Sequence, residues 1–140
     1  MDKQARLEYN NSLLPPCLQV LNGRLVDYDL EAATAEMHFE ISEQFCHSVD
    51  TIQGGFVTAM LDAAMSHSAF LTEPDVIALP TLELKVNFLD VTRAGPVKAF
   101  GRVVKAGRST VFLEGHLINR EGQMSATGSA TARLVRQKAG

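Results

Sequence analysis

Residues 46–71, CHSVDTIQGGFVTAMLDAAMSHSAFL, decide how the rest of the chain is organised. A polar loop and the pair Gly54-Gly55 lead into a run that predicts a helix, apolar around nearly its whole circumference and therefore buried on most sides. Asp62 lies in the middle of that helix, with no Lys or Arg three or four residues away. Because an unpaired carboxylate is costly to bury, Asp62 lies either at an edge of the helix or in a site where it does chemistry.

The composition is that of a soluble single domain over residues 1–140, with 46% apolar and 21% charged residues. A net charge of -3 argues against a nucleic-acid partner. The charged N-terminus and the lack of a long apolar stretch predict no secretory signal and no membrane partner, hence a cytoplasmic protein. Cys17 and Cys46 form no motif and are expected to be reduced thiols. The histidines have no ligand spacing, so we expect neither a metal nor a cofactor.

The rest of the chain predicts one short helix and six strands. The helix is expected at residues 3–13, and a first strand from Leu18 to Val26, with Asn22-Gly23 as a possible bulge and a turn at 27–29. Period-two alternation predicts the other strands at 33–41, 82–88, 97–105, 110–119 and 124–134. A hairpin turn with a positive φ at Gly122 is expected between the last two.

These elements predict an α+β fold. The last four strands are joined by short connections, which favours antiparallel pairing, and each has one apolar face. Small residues on the last strand leave room for a helix packed close to it: Ala126, Gly128, Ala130 and Ala132. We therefore expect a curved antiparallel sheet of about six strands wrapped around one long central helix.

This pattern resembles the hotdog fold. More narrowly, Gln53-Gly54-Gly55 followed by Asp62 resembles the signature of PaaI-like acyl-CoA thioesterases, over roughly residues 13–136. The resemblance implies hydrolysis of an acyl-CoA thioester to free acid and CoA. His47 stands where that family usually has Asn or Gln, and Asp50 stands where a Gly is common.

The resemblance also implies roles for the residues of the loop and helix. The Gly54 N–H would be the oxyanion donor, helped by the helix dipole, and Asp62 the general base or the nucleophile. His47 would bond the attacking water or the thioester carbonyl, or else cap the loop. Gln53 would anchor the loop or line the site. Thr81 would help to position the water, unless it is an ordinary strand residue.

Further residues are candidates for holding the substrate. Those expected around the acyl group, in a tunnel between helix and sheet, are Gly55, Phe56, Met60 and Phe88. Lys105, Arg108 and Ser109 flank the turn at Gly107, which resembles the place where the family meets the CoA phosphates; the alternative is a solvated hairpin tip. Arg93 is a weaker candidate of the same kind, and Asp50 either orients His47 or is a plain turn residue.

The spacing of the motif implies an oligomer. Eight residues of helix put Asp62 about 12 Å along the axis from Gly54 of the same chain. Two helices side by side and antiparallel would bring Asp62 of one chain near Gly54 of the other, which predicts a homodimer with two composite sites. The resemblance implies the same dimer, often paired into a dimer of dimers.

Two other functions stay open at this point. Hotdog 3-hydroxyacyl thioester dehydratases pair a loop His with a helix acid, as His47 and Asp62 could, although the Pro-rich loop typical of them is absent here. A non-catalytic acyl-CoA-binding module is the other alternative, which tight binding without turnover would support.

Overall fold

A long helix lies against a six-stranded antiparallel sheet in this structure, a computed structural model that describes residues 1–138. The helices are α1 (Lys3–Ser12), α2 (Pro16–Val20) and α3 (Gly54–Thr72), with a 3₁₀ turn at Glu43–Phe45. The strands are β1 (Gly23–Asp29), β2 (Thr34–Ile41), β3 (Cys46–Ser48), β4 (Thr51–Ile52), β5 (Val76–Ala78), β6 (Thr81–Phe88), β7 (Gly95–Ala106), β8 (Thr110–Ile118), β9 (Met124–Arg133) and β10 (Val135–Arg136).

The strand order of the main sheet is β1-β2-β7-β8-β9-β6, so β1 and β6 form its two edges. Two small antiparallel pairs, β3 with β4 and β5 with β10, flank the ends of α3. The expected hotdog fold is confirmed. The hairpin between β8 and β9 is confirmed as well, since Gly122 has a φ of 82° and its N–H donates to the Asn119 carbonyl at 2.9 Å.

Helix α3 packs on one face of the sheet because that face carries very small residues where the helix crosses it. A Cβ at Gly101 of β7 would lie 2.2 Å from the carbonyl oxygen of Ala64, so only glycine allows the two backbones to approach so closely. Ala126 and Ala132 of β9 are fully buried beside it, as expected. The tightest contact therefore lies on β7, whereas the sequence indicated β9.

The strand predicted from Leu18 to Val26 is wrong in its first half. Pro16 takes the first position of α2, where its missing N–H costs nothing, and Leu18 is buried as part of this helix. Asn22 then has a φ of 52° and redirects the chain into β1. The expected turn at 27–29 and the bulge at Asn22-Gly23 are also wrong, because β1 continues to Asp29 and its register shifts between Leu25 and Asp27.

Strand β6 contains a bulge that reverses one expected orientation. Period-two alternation in 82–88 puts Leu82 on the same face as Leu84 and Val86, but Leu82 is 64% exposed. The register with β9 shifts between Thr81 and Glu83, so Leu82 is the extra residue and Thr81 pairs with the buried Ala132. The bulge thereby turns Thr81 toward the helix.

Candidate active site

The start of α3 offers an unused backbone donor. The Gln53 side chain caps the helix by accepting from the Gly55 N–H at 2.7 Å, and the N–H groups of Phe56 and Val57 donate to the Gln53 carbonyl. Within residues 1–138 the Gly54 N–H has no acceptor, and this residue is only partly buried. An open N–H at the positive end of a 19-residue helix is suited to binding an anionic oxygen.

Asp62 lies near the middle of α3, and the hydroxyl of Thr81 is hydrogen-bonded to it. The Thr81 hydroxyl donates to Asp62 Oδ1 at 2.9 Å, and Asp62 is half-buried. Asp62 forms no salt bridge with any residue that the structure describes. The carboxylate therefore has one oxygen fixed by Thr81 and the other free to accept a proton.

Strand β6 runs between these two features. At its first residue, Thr81 bonds Asp62; at its last, the Phe88 ring lies against Gly54, with its Cζ 3.2 Å from where a Gly54 Cβ would be. Seven strand steps make these ends about 23 Å apart. The acid and the open N–H themselves are eight helical residues apart, about 12 Å along the axis, which in a single chain is too far to act on one carbonyl.

The loop before the helix is held by an ion network that the sequence did not reveal. Asp50 accepts from Arg93 at 2.6 Å and from Arg120 at 3.1 Å, and its carbonyl accepts from the Ala94 N–H at 2.8 Å. The hydrogen bond from Arg93, with the charges of both arginines, lowers the pKa of Asp50. Asp50 therefore bonds the two arginines rather than His47, whose Nδ1 lies beside Ser48, and Arg93 is held by Asp50.

Comparisons with known proteins place this geometry in a family. A model described as the thioesterase superfamily matches residues 50–126, which include the end of the loop, helix α3 and strands β6, β7 and β8. The chain belongs to the thioesterase superfamily. A phenylacetic acid degradation-related protein of Ralstonia eutropha JMP134 has the same fold at a TM-score of 0.84, with 28% identity over 95% of this chain and 100% of that one.

Two further relatives agree with this membership. A protein of Saccharolobus solfataricus named as an esterase is 26% identical over 79% of this chain and 78% of its own length. The PaaI protein of E. coli, from the phenylacetic acid degradation operon, shares the fold at a TM-score of 0.78 and 17% identity, covering 94% of this chain and 90% of that one. Membership supports thioester hydrolysis as the general chemistry, with a PaaI-like hotdog fold as its frame.

His47, which was also predicted to belong to the site, is exposed to solvent. Its Nδ1 is 2.8 Å from the Ser48 hydroxyl, and its ring is exposed. Cys46 beside it is half-buried, and loss of hydration raises the pKa of its thiol, with Asp50 and Glu43 adding to the effect. A raised thiol pKa disfavours the thiolate, which is the nucleophilic form of cysteine.

The apolar candidates divide into exposed and buried residues. Phe56 stands edge-on to Phe45 with ring centres 4.9 Å apart, and Phe88 is 58% exposed. Met60 is fully buried in the core between α3 and the sheet, so it does not reach an open surface of the single chain. Phe45 is a neighbour that periodicity could not identify, because it lies in a 3₁₀ turn.

The predicted phosphate-binding turn between β7 and β8 is held by hydrogen bonds from Arg136. Arg136 donates to the carbonyls of Arg108 at 2.8 Å and Gly107 at 3.1 Å, and it pairs with Asp75 at 2.7 Å. Lys105, Arg108 and Ser109 are exposed. The side chains of Lys105 and Arg108 form no salt bridge within residues 1–138, so their charges are available to a ligand.

A groove of the single chain lies away from these residues. It has a volume of about 520 Å³ on the outer face of the sheet, where its lining includes Glu36, Phe100, Arg102, Glu114 and His116. None of the predicted site residues lines it. Among residues 1–138, no cluster of acids, histidines and cysteines could hold a metal ion, and no helix is long and apolar enough to span a membrane.

The Asp50 network predicts a pH-dependent contribution to stability. A carboxyl whose pKa is lowered by folding stabilises the protein above its ordinary pKa of about 3.9, and this contribution is lost as the pH falls through the lowered value. Asp50→Asn should therefore have a lower free energy of unfolding than wild type at pH 7. The difference between the two proteins should shrink gradually as the pH falls below about 4. Urea unfolding across this range measures the effect.

Asp90→Asn is the matched control, because among residues 1–138 the Asp90 side chain accepts only from the Val91 N–H, at 2.7 Å, and an asparagine oxygen can take its place. If the loss of unfolding free energy in Asp50→Asn stayed the same at every pH measured, the ionised pair would not be its cause.

Proposed function

We propose that this chain hydrolyses acyl-CoA thioesters to free acid and CoA in the cytoplasm, at two composite sites of a homodimer that can pair into a tetramer. The observation that carries the proposal is the position of the fixed acid and the open helix N–H at opposite ends of β6, an edge strand. Edge strands are open to antiparallel pairing with a second copy. In such a pair, the Asp62 end of one chain meets the Gly54 end of the other.

The chemistry follows from what each end supplies. Asp62, with one oxygen held by Thr81, takes a proton from water through its free oxygen as the water attacks the acyl carbon. Negative charge develops on the thioester oxygen and is stabilised by the Gly54 N–H and the helix dipole of the other chain. The carbon–sulfur bond then breaks, and the CoA thiolate takes the proton from Asp62. Direct attack by the carboxylate, through an anhydride, uses the same groups.

Substrate binding divides between the aromatic residues and the basic turn. The exposed Phe88 and Phe56 give the acyl group an apolar surface beside Gly54 and Gly55, with Met60 as the buried floor. Lys105, Arg108 and Ser109 supply charge and donors for the CoA phosphates. His47 contacts the water or the carbonyl from the loop, and Gln53 keeps the helix start in place by its cap.

Replacing the acid tests the proposal directly. Asp62→Asn should lower kcat for acyl-CoA hydrolysis about 10³-fold, because the amide cannot accept a proton from water. Thr81→Val should cost about tenfold or more in kcat with little change in KM, and Thr81→Ser should recover the loss, since a hydroxyl is all that Asp62 needs. Free thiol released from short, long and aryl acyl-CoAs is the measurement.

Asp29→Asn is the control, on β1 at the opposite edge of the sheet. An unchanged rate for Asp62→Asn would discard the assignment. Loss of enoyl-thioester absorbance on hydration, without thiol release, would favour the dehydratase, and tight binding without turnover would favour the binding module.

The backbone donor can be removed with little change to the helix. Gly54 is the first helical residue, where proline is well tolerated, and Gln53 before it is extended at φ -63° and ψ 139°, as a residue preceding proline prefers. Gly54→Pro should lower kcat by about 10²-fold, as the loss of one oxyanion donor does. Gly54→Ala is the matched control, because it also places a Cβ against the Phe88 ring but keeps the N–H. This variant should retain most of the activity.

Mixing the two defective proteins tests whether the site is shared. Refolded mixtures of Asp62→Asn and Gly54→Pro should regain activity, because one of the two sites of the mixed dimer combines an intact acid with an intact N–H. Mixtures as inactive as their components would exclude a composite site.

The role of the basic turn is tested by comparing two substrates. Lys105→Ala and Arg108→Ala should raise KM for acyl-CoA about tenfold, since each phosphate contact to a charged group is worth on the order of 1.5–3 kcal/mol. The same acyl group on N-acetylcysteamine, which has no phosphate, should show no change. If KM rose equally for both thioesters, the turn would not bind the CoA phosphates, and its role would be structural.

A further inference from the structure

Strand β1 forms the second edge of the main sheet, and helix α1 lies along it. Among the described strands, β1 pairs with β2 alone, so alternate residues point a backbone N–H and C=O away from the sheet. The Asn11 side chain of α1 bonds both of these groups at Leu25. Its amide nitrogen donates to the Leu25 carbonyl at 2.8 Å, and its oxygen accepts from the Leu25 N–H at 2.7 Å. One side-chain amide therefore takes the place of a neighbouring strand.

Further polar contacts hold α1 in this position. Arg6 donates to the Leu71 carbonyl at 2.7 Å, in the last turn of α3, where carbonyls lack a partner within the helix and positive charge is favourable. Lys3 forms a salt bridge with Asp27 of β1 at 2.5 Å. The cationic groups of Lys3 and Arg6 lie 5.3 and 5.4 Å from the centre of the Tyr28 ring. Helix α1 is thereby joined to both β1 and the central helix.

These polar contacts matter because α1 buries little apolar surface. Of its ten residues, all of which the structure describes, none is buried, and Leu7 is only partly buried against the core. An isolated helix of this length is marginal in water. The helix is therefore held in place mainly by what its polar side chains bond, and Asn11 bonds the edge of the sheet.

The remainder of β1 is protected in a different way. Its register with β2 is regular from Gly23 to Leu25 and shifts between Leu25 and Asp27. Such a bulge twists an edge strand and interrupts the row of groups with which a new strand would pair. The Asn11 amide bonds the last residue of the regular part. The amide and the bulge therefore cover successive parts of the same edge.

We infer that α1 guards the β1 edge: by bonding Leu25, the Asn11 amide prevents β1 from pairing with a strand of a second copy. The inference goes beyond the proposed function and does not depend on catalysis. A chain with both β1 and β6 open would accept strands at both edges, and its copies would form an open-ended sheet rather than a closed pair. With β1 covered, the sheet can be extended only along β6.

The guard has an advantage over a second copy because it belongs to the same chain. Asn11 and Leu25 are 14 residues apart along the sequence. A short linking segment keeps the amide near the edge at an effective concentration on the order of millimolar. A second copy at micromolar concentration therefore gains access to β1 only when the contact of Asn11 with Leu25 is removed.

Replacing Asn11 by leucine tests the guard. Leucine has a similar size and a higher helix propensity, but its side chain can neither donate nor accept a hydrogen bond. In Asn11→Leu, hydrogen exchange at the Leu25 N–H should be about tenfold faster or more, because the bond that protects it is lost. Sedimentation velocity should show assemblies that exceed the wild-type size as the concentration rises and that shrink again on dilution. This reversal, with an unchanged circular dichroism spectrum, separates strand addition from aggregation of unfolded protein.

Asn10→Leu is the matched control. Asn10 is the neighbouring residue of α1 and is also partly buried, but its amide donates to the Arg6 carbonyl at 2.9 Å, within the same helix. This variant should keep the wild-type exchange rate at Leu25 and the wild-type size. Arg6→Gln is a second variant that leaves Asn11 in place and weakens the hold of α1 on α3. It should change exchange and assembly size in the same direction as Asn11→Leu.

The inference would be overturned if exchange at Leu25 became faster in Asn11→Leu without any larger assembly, since Asn11 would then only brace the fold. Equal growth of Asn10→Leu and Asn11→Leu would overturn it as well. Failure of the proposed function has a different signature. If the wild-type protein were a monomer that releases no thiol, the thioesterase proposal would be lost, whereas Asn11→Leu should still self-associate through β1.

Discussion

The contact between the backbone of α3 and the glycine of β7 fixes the geometry on which the site depends. The Ala64 carbonyl lies where a side chain on Gly101 would be, so the helix is held at one depth and one position across the sheet. From Ala64 the helix runs back toward its N-terminus, where Gly54 lies against the Phe88 ring. Between these two residues, Asp62 lies beside Thr81. A helix that could slide along the sheet would not keep both contacts, since each depends on a single side chain.

Because the helix is rigid, the two chemical groups on it cannot meet. The rise of about 1.5 Å per residue keeps the acid and the first N–H about 12 Å apart, whatever the loops do. Thioester hydrolysis needs a base on one side of the acyl carbon and a donor at its oxygen, within a few ångströms of each other. In the proposed function, a single chain therefore supplies half of each site, and a second copy related by symmetry supplies the other half.

A structural feature could be predicted from the sequence where the residues that determine it are close together along the chain. The alternation in 33–41 and 124–134 and the apolar run after Gly54-Gly55 report local burial, and they gave the sheet, the helix and the hotdog resemblance. The run from Leu18 fits a strand or a short helix equally well, and Pro16 decided for the helix. The partners of Asp50, at Arg93 and Arg120, lie 43 and 70 residues away, beyond any local pattern.

The bulge at Leu82 shows how one extra residue connects fold, chemistry and assembly. Without it, period two would send Thr81 to the outer face with Glu83 and leave Asp62 without its hydroxyl. With it, Thr81 turns to the helix, while the regular segment 83–88 keeps its apolar residues inward and its charges outward. A bulge in the middle of the strand would have interrupted the edge along which we propose that a second copy pairs. At the first residues it redirects Thr81 and leaves that edge intact, so strand pairing and the holding of the acid are compatible in the same eight residues.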